Sequence, residues 1–316
     1  MPTLGQALAS ATDRLRASGA PSPRLDAELL LGHVVGLDRT AVVAHPDAPL
    51  GVDHEARFEA HVARREAGEP VAYIREVKEF YGLALSVDAR ALIPRPETEL
   101  LVDLATSRTR AAVVARPREA GKTPFRVLDV GTGSGAIAVA MARTLRRAGF
   151  GDVIRITASD VSEAAISLAV ENAVAQGVAD LIDFRVADLL LPLLEVDAAP
   201  GVIAANLPYV ASAELETLGP AISFEPRLAL DGGRDGLDLV RRLLGELPQV
   251  LLPGGITLIE IGSDQEAAAV ASAAEALPAW PATVHRDLAG LPRVLEVEHP
   301  GHELERPGLE PERPPA

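Results

Sequence analysis

From Phe125 onward the chain alternates short β-rich runs with longer segments of helical pattern, and this alternation limits the possible folds most. The β-rich runs are "FRVLDV", "VIRITASD", "IDFRVAD", "PGVIAAN", "GITLIEIG" and "RVLEVEH". Strands that alternate with helical segments predict a mostly parallel, doubly wound α/β sheet. Ligands of such sheets bind at the carboxyl ends of the strands, so candidate site residues should directly follow the strands.

The first predicted strand runs into a glycine-rich turn and then an alanine-rich helix, in the stretch "VLDVGTGSGAIAVAMA". Gly131, Gly133 and Gly135 allow a tight turn, and the free N–H groups at the start of the helix favour a carboxylate or a phosphate. With Ala136 the spacing also fits the permissive dinucleotide pattern G-x-G-x-x-G/A, so this motif alone does not exclude a nicotinamide enzyme. A glycine turn without a ligand is the plainer interpretation.

Aspartates end the next two predicted strands. Asp160, in "TASDVS", lies where a carboxylate can accept hydrogen bonds from the hydroxyls of a ribose. It could equally cap the next helix, for which Ser162 is also available. Asp188, in "VADLLLP", follows the third strand, where an adenine edge would lie, or it is simply a turn residue. Both interpretations stay open for each aspartate.

The tetrapeptide "NLPY", which is Asn206 to Tyr209, follows the fourth strand and therefore falls at the same edge as the glycine turn. A planar –NH2 group needs two acceptors to hold it in one orientation, and the Asn206 side-chain oxygen and the Leu207 carbonyl could supply them. Pro208 restricts the backbone, and Tyr209 could stack on the flat face of the substrate. The tetrapeptide favours methyl transfer to a planar nitrogen, although a proline turn after a buried strand would look the same.

Composition limits the class of protein. The chain has 45 acidic and 30 basic residues, and its formal charge of −15 weighs against a non-specific nucleic-acid binder or a protein of anionic membranes. It has no cysteine, which excludes disulfides and thiolate metal sites, and its seven histidines are scattered. No run is long enough for a membrane span, and nothing at the N-terminus reads as a signal peptide. We therefore expect no metal, no membrane and a cytoplasmic location.

Three parts are predicted before the tail of the chain. Residues 1–70 have helical patterns such as "LDAELLLGHVVG" and predict a small helical domain. Residues 71–93 include "VAYIREVKEFYGLALSV", which alternates around Tyr81-Gly82 and predicts a strand pair that bridges the two domains. Residues 94–300 form the α/β domain, whose first helix should start near Pro96.

Two segments are predicted to have no regular structure. The stretch "SRTRAAVVARPREAGKTP" is charged and ends in glycine and proline, which indicates a solvent-exposed connection. The tail at residues 301–316, "GHELERPGLEPERPPA", has too little apolar surface to fold, and we predict that it is disordered.

The motifs together resemble the peptide chain release factor glutamine methyltransferases (PrmC/HemK family), which are class I S-adenosylmethionine-dependent methyltransferases. The similar segments are "DAELLLGHVVG", "EFYGLALSVDARALIPRPETELLV", "VLDVGTGSGAIAVA", "NLPYV", "FEPRLALDGGRDGLDLVRRLL", "LLPGGITLIEIGSDQ" and "DLAGLPRVLEVE". They cover nearly the whole chain, and "IPRPETE" and "EPRLALDGGRDGLD" are the most distinctive. The resemblance implies a Rossmann-like methyltransferase domain plus a small N-terminal helical domain joined by a β-hairpin.

The resemblance also implies a reaction and a site. The methyl group of S-adenosyl-L-methionine would be transferred to the side-chain amide nitrogen of the glutamine in the Gly-Gly-Gln motif of class I peptide chain release factors. The helical domain and the strand pair would help to recognise this protein partner. Cofactor-binding residues would be Gly131, Thr132, Gly133, Ser134, Gly135, Asp160, Asp188, Leu189 and Asn206. Substrate-binding residues would be Asn206, Leu207, Pro208 and Tyr209, of which Asn206, Pro208 and Tyr209 would be catalytic.

The chain departs from the family pattern in three places. Leu207 stands where the family usually has a proline, and "NLPY" also resembles the tetrapeptide of ribosomal RNA adenine dimethyltransferases. The tetrapeptide alone therefore does not choose the substrate. Val77-Lys78 replace the glycine that is usual before "EFYG", which bears on the shape of the strand turn, and "AGLPRV" replaces a usual charged pair, which bears on packing.

Two other functions stay open at this point. An adenine-nitrogen methyltransferase that acts on RNA or DNA would need a basic face around the crevice. A non-catalytic S-adenosylmethionine-binding module would keep the fold for assembly or regulation. Nothing about a scaffold, however, requires Asn206, Tyr209 and the full glycine turn together.

Overall fold

The computed structural model describes residues 1–116, 123–190 and 199–301. Residues 117–122 of the predicted connection and the predicted tail beyond Gly301 lie outside the described residues.

Helices make up the first part of the chain. They are α1 (Leu4–Ala17), α2 (Pro23–Val35), α3 (Arg39–Ala44), α4 (Val52–Glu66) and α5 (Val71–Arg75). Their apolar faces enclose one cluster that includes the fully buried Leu15, Leu31 and Phe58. A buried ion pair between Asp26 and Arg65, with 2.8 Å between the charged atoms, links α2 to α4. The division into domains stays a prediction.

The predicted strand pair forms, but it is shorter than predicted. Strands β1 (Val77–Phe80) and β2 (Leu83–Ser86) are antiparallel and joined by Tyr81-Gly82. The φ angles of Tyr81 and Gly82 are +52° and +70°, which is typical of the two-residue type I′ turn that suits twisted strands. The prediction of a strand over residues 71–75 was wrong, because Pro70 starts the short helix α5 there.

Helix α6 (Thr98–Ala115) starts close to Pro96, as predicted, but it continues through the first half of the predicted connection. Thr106 and Thr109 are buried and extend the inner face of the helix beyond Leu101 and Ala105. The predicted loop over residues 107–115 was therefore wrong. The charged residues that suggested a loop occupy the outer face of an amphipathic helix.

A seven-stranded sheet forms the centre of the molecule, in the order β5-β4-β3-β6-β7-β9-β8. Its strands are β3 (Phe125–Val130), β4 (Ile154–Asp160), β5 (Ile182–Val186), β6 (Val202–Ala205), β7 (Ile256–Glu260), β8 (Ala282–Arg286) and β9 (Pro292–Glu298). The helices between them are α7 (Ala136–Arg147), α8 (Glu163–Ala175), α9 (Asp238–Val250) and α10 (Glu266–Ala276). β5, β4, β3, β6 and β7 are parallel, and β9 is antiparallel to both of its neighbours.

The predicted mostly parallel sheet is confirmed, and each predicted strand is present in it. The sequence pattern missed β8, "ATVHR", because this edge strand has no fully buried residue and so lacks an apolar run. Apolar clusters cover both faces of the sheet. One contains residues of α6 and α7, and the other contains residues of α9 and α10.

The order of the strands reverses between β3 and β6, which lie side by side with Val130 opposite Ala205. A crevice opens at such a switch point because the two following connections turn to opposite faces of the sheet. The glycine turn after β3 and the "NLPY" segment after β6 therefore leave the sheet at adjacent points.

Candidate active site

A cavity of about 340 Å³ lies at the carboxyl ends of β3, β4 and β6. This volume is within the range of about 300–1,000 Å³ that is usual for small-molecule sites. Of the predicted site residues, those that line the cavity are Gly131, Thr132, Gly133, Ser134, Asp160, Asp188, Leu189, Asn206, Leu207 and Pro208. Gly135 and Tyr209 are not among the lining residues.

The glycine turn brings the backbone to the cavity without side chains in the way. Gly131 has a φ of +71°, and a Cβ atom placed there would lie 3.2 Å from a methyl group of Leu207. Gly135 has a different reason to be glycine. Its φ is +80°, and a Cβ atom would lie 3.0 Å from the Cβ of Ala169 on α8, so Gly135 lets α8 pack against the start of α7.

Asp129, at the end of β3, supports the turn from below. This fully buried carboxylate accepts hydrogen bonds from the Thr132 hydroxyl at 2.7 Å and from the Ala138 N–H at 3.0 Å. Burial raises the pKa of Asp129 to about 7, and these two hydrogen bonds oppose that shift. Sequence reasoning assigned no role to Asp129, although it lies within the motif "VLDVGTGSG".

Asp160 lies at the end of β4 and faces the cavity. Its Oδ2 accepts the N–H of Gly133 and its Oδ1 accepts the N–H of Ser162, both at 2.9 Å. Burial raises the pKa of the carboxyl group, and its backbone hydrogen bonds oppose the shift. Ser162, not Asp160, caps α8, since its side chain accepts the N–H of Ala165. Asp160 therefore links the glycine turn after β3 to the start of α8 through its carboxylate.

Asp188 and Leu189 form another wall. Asp188 is exposed and pairs with Arg242 of α9, with 2.8 Å between the charged atoms. Leu189 is buried and has a φ of +57°, which is rare for a residue with a side chain. The strained backbone of Leu189 directs an apolar side chain to the wall of the cavity, beside the charged pair.

The side chain of Asn206 is held from behind. Its Nδ2 donates to the hydroxyl oxygen of Thr98, at the start of α6, at 3.0 Å. The side chains of Asn206 and Thr98 also lie close enough to Glu260, at the end of β7, to lower its pKa. Sequence reasoning assigned a role to neither Thr98 nor Glu260, although they lie in the quoted segments "IPRPETE" and "GITLIEIG".

The remaining residues of the tetrapeptide have different surroundings. Leu207 is buried in the apolar cluster on the α9 side of the sheet, and Pro208 is half-buried at the cavity. Tyr209 is half-buried, and burial raises its pKa to about 12. Its carbonyl oxygen accepts a hydrogen bond from the Gln265 amide at 2.9 Å.

The distinctive segment "DGGRDG" supports the backbone of the tetrapeptide. The N–H of Gly232 donates to the Val210 carbonyl at 2.8 Å. A Cβ atom on Gly232 would lie 2.6 Å from the Pro208 carbonyl oxygen, and one on Gly236 would lie 2.2 Å from that of Tyr209. Only glycines let the two backbones approach so closely.

The other distinctive segments meet at the wall of the cavity. Glu225, which is buried, accepts the N–H of Ile93 at 3.1 Å and pairs with the guanidinium of Arg95 at 2.5 Å. Arg95 itself lines the cavity. "IPRPETE" and "FEPRLALDGG" are therefore neighbours in space, which their separation in the chain did not reveal.

Neither a metal-ligand cluster nor a membrane-spanning helix occurs among the described residues. No group of three or more histidine, aspartate or glutamate side chains is placed to hold a metal ion. None of the described helices has the length and apolar character that crossing a membrane requires.

The sheet is mostly parallel, and its last strand along the chain, β9, is antiparallel and inserted between β7 and β8. Together with a glycine turn that opens on a cavity at the switch point, this arrangement defines a class I methyltransferase. Family models agree: one described as the PrmC N-terminal domain matches residues 6–75, and one described as a methyltransferase domain matches residues 122–290. A curated release factor glutamine methyltransferase from Deinococcus radiodurans is 39% identical, over 93% of this chain and 98% of its own length. Another from Moorella thermoacetica is 41% identical, over 83% of this chain and 87% of its own.

These matches place the chain in the release factor glutamine methyltransferase family. It is thus a methyltransferase of a class that uses S-adenosylmethionine. The solved structure of the hMettl16 catalytic domain in complex with the MAT2A 3'UTR hairpin 1 has a TM-score of 0.53 at 14% identity. It covers 81% of this chain and 86% of its own, and it shows the shared fold alone.

Proposed function

We propose that the protein methylates the side-chain amide nitrogen of the glutamine in the Gly-Gly-Gln motif of class I peptide chain release factors. The observation that carries the proposal is the place of Asn206, whose amide lies at the cavity next to the glycine turn and is anchored by Thr98. The names of the curated relatives support the choice of substrate.

The residues around the cavity fit S-adenosylmethionine. Gly131 and Gly133 leave the backbone uncovered, as a close ligand requires, and Asp160 keeps acceptor capacity beyond its backbone hydrogen bonds. When bound, the cofactor would supply a methyl group on a sulfonium sulfur for transfer to the amide nitrogen; the electron pair of the sulfur–carbon bond would stay on sulfur, and the amide would lose one proton. Asp160 would accept the ribose hydroxyls, and Asp188 and Leu189 would border the adenine.

The chain's contribution to the reaction is to orient the glutamine amide. An amide nitrogen is a poor nucleophile because its lone pair is delocalised, so its position decides the rate. Asn206 Oδ1 and the Leu207 carbonyl would accept the two amide hydrogens, and the restricted backbone of Pro208 would hold them in place. Good orientation of reacting groups can remove roughly 7–11 kcal/mol of a barrier.

Two parts of the substrate site remain predictions. Tyr209 would stack on the glutamine amide, although it lies outside the cavity lining and would have to meet the substrate at its edge. The helical part at residues 1–70 and the hairpin would recognise the body of the release factor, because a protein substrate offers a larger surface than the cavity can contact.

The test is to incubate the purified protein with S-adenosylmethionine and an unmodified class I release factor, and to analyse the Gly-Gly-Gln peptide by mass spectrometry. We expect a single added methyl group on the glutamine. For Asn206→Ala we expect kcat to fall by about 100-fold or more, with cofactor binding still detectable in calorimetry.

An unmethylated glutamine, in a protein that binds the cofactor, would contradict the proposal. A wild-type kcat for Asn206→Ala would leave the substrate assignment but remove the mechanism. Methylation of adenine in RNA or DNA under the same conditions would instead support the nucleic-acid alternative.

A further inference from the structure

Behind Asn206 lies a buried carboxylate that the proposed reaction does not use directly. Glu260 ends β7 and is 1% exposed, and it is not among the residues that line the cavity. Thr98 and Asn206 lie beside the Glu260 carboxylate, and their side chains lower its pKa. Its Oε2 atom has no hydrogen-bond partner among the described residues.

The chemistry of these groups decides which way the Asn206 amide faces. A threonine hydroxyl can donate or accept, so Thr98 alone would allow either orientation of the amide. An ionised carboxylate can only accept. An ionised Glu260 beside Thr98 would take the proton of the Thr98 hydroxyl, which fits the observation that the Thr98 oxygen accepts from Asn206 Nδ2 at 3.0 Å.

We propose that Glu260 is a positioning residue that, through Thr98, holds Asn206 with its amide oxygen toward the cavity. The inference rests on the proposed function, because the orientation matters only if Asn206 accepts a hydrogen bond from a substrate –NH2 group. A flipped amide would place its own N–H groups against those of the substrate and would lose the acceptor.

The arrangement makes the orientation dependent on pH. Burial raises the pKa of Glu260 to about 7, and the charge of Glu97 adds to this shift. The side chains of Thr98, Arg293 and Asn206 oppose it. Tyr209 also faces Glu260, but burial raises its pKa to about 12, so it stays neutral over this range. Once protonated, Glu260 can donate to Thr98, Thr98 can donate to Asn206 Oδ1, and the flipped amide becomes stable. Activity should therefore fall as the pH drops through about 7.

The first test compares steady-state kinetics of Glu260→Gln, Thr98→Val and Thr98→Ser. A glutamine can donate as well as accept, so we expect kcat of Glu260→Gln to fall about 10- to 100-fold with both KM values unchanged. Thr98→Val should behave alike, whereas Thr98→Ser keeps the hydroxyl and should keep most of the activity. The matched control is Glu296→Gln on β9, a buried carboxylate bound to Arg108 and His285, which should leave kcat unchanged.

The second test is the pH profile of kcat. For the wild type we expect kcat to decline from about pH 8 to about pH 6, and for Glu260→Gln we expect this step to be absent. A purely structural role for Glu260 would not remove the step.

Glu260→Gln should remain folded. The pKa of Glu260 is raised in the folded protein from an ordinary value of 4.5, so the wild type loses stability as the pH rises from 4.5 to about 7. Glutamine does not titrate, and the variant should be at least as stable as the wild type above that window. Thermal unfolding at both ends of the window checks this.

A third test does not depend on the substrate. In nitrogen-15 NMR the side-chain amide signals of Asn206, assigned with Asn206→Ala, should shift with a midpoint near pH 7 in the wild type and not in Glu260→Gln. Signals of Asn206 that do not change with pH, or a wild-type kcat and pH profile for Glu260→Gln, would overturn the inference. If the wild type fails to methylate the release factor, the proposed function fails and the NMR result still decides the inference.

Discussion

Asp160 shows how a single residue can hold the glycine turn and also line the proposed cofactor site. Its carboxylate accepts the backbone N–H groups of Gly133 and Ser162, so the acceptor is held in place before any ligand arrives. Because the same carboxylate lines the cavity, a bound ribose would meet a group whose orientation has already been set. The glycine turn and the cofactor pocket therefore depend on one side chain.

Asp160→Asn is expected to weaken cofactor binding. The amide can replace only part of the acceptor capacity, and a hydrogen bond to a charged group is worth about 1.5–3 kcal/mol, so Kd for S-adenosylmethionine should rise roughly 10- to 100-fold. Isothermal titration calorimetry measures this directly. The control is Asp183→Asn on β5, which does not line the cavity and should keep the wild-type Kd.

Two segments that lie far apart in the chain build the substrate side of the cavity together. The "NLPY" segment carries the proposed substrate contacts, and "DGGRDG" presses against its backbone through Gly232 and Gly236. This packing matters because the carbonyl of Leu207 can accept from a substrate only if the backbone of the tetrapeptide keeps one conformation. This packing gives the glycines of "DGGRDG" a role beside the tetrapeptide.

Gly236→Ala tests this packing. The residue has a φ of +78°, and the new Cβ atom would lie 2.2 Å from the Tyr209 carbonyl oxygen, so the tetrapeptide must move. A displacement of about 1 Å near reacting groups can cost on the order of 100-fold in rate, and we expect kcat to fall at least about 10-fold.

Gly245→Ala is the matched control for Gly236→Ala. Gly245 lies within α9, where a Cβ atom would meet nothing within 4 Å. Alanine there should raise the free energy of unfolding by about 0.5–1 kcal/mol and leave kcat unchanged. Equal effects of the two substitutions on kcat would show that the packing of Gly236 has no bearing on the reaction.

The protein as a whole carries a formal charge of −15, and this bears on the choice between a protein and a nucleic-acid substrate. The fold does not decide the question, since a domain solved with an RNA hairpin has the same fold. Long-range repulsion between a chain of this net charge and a phosphate backbone disfavours RNA and DNA.

We therefore expect no binding of generic RNA or duplex DNA at physiological salt, measured by fluorescence anisotropy with labelled oligonucleotides. Binding to nucleic acid depends on the neutralisation of phosphates by basic side chains and weakens steeply with salt. Micromolar binding with such a salt dependence would reveal a local basic surface and would favour the nucleic-acid alternative.

The strands of the sheet and the common edge of the glycine turn and "NLPY" followed from the sequence. Buried parallel strands have apolar sequences, and their carboxyl ends lie at one edge of the sheet. Local pattern and chain order therefore suffice to predict both features. The predictions failed where local pattern is weak. β8 is an edge strand with little buried surface. The C-terminal half of α6 has a charged sequence that resembles a loop, because its buried positions are the polar residues Thr106 and Thr109.

The sequence by itself determined the parallel strands, the glycine turn and the edge of the sheet at which the predicted site residues lie, because each of these depends on neighbours in the chain. Only the tertiary structure decided which side chains contact the predicted site residues from the side away from the cavity. Thr98 and Asn206 are 108 positions apart, and they meet Glu260 only because α6 packs over the ends of β6 and β7. Contacts of this kind depend on how helices settle on the sheet, which no local pattern of residues encodes.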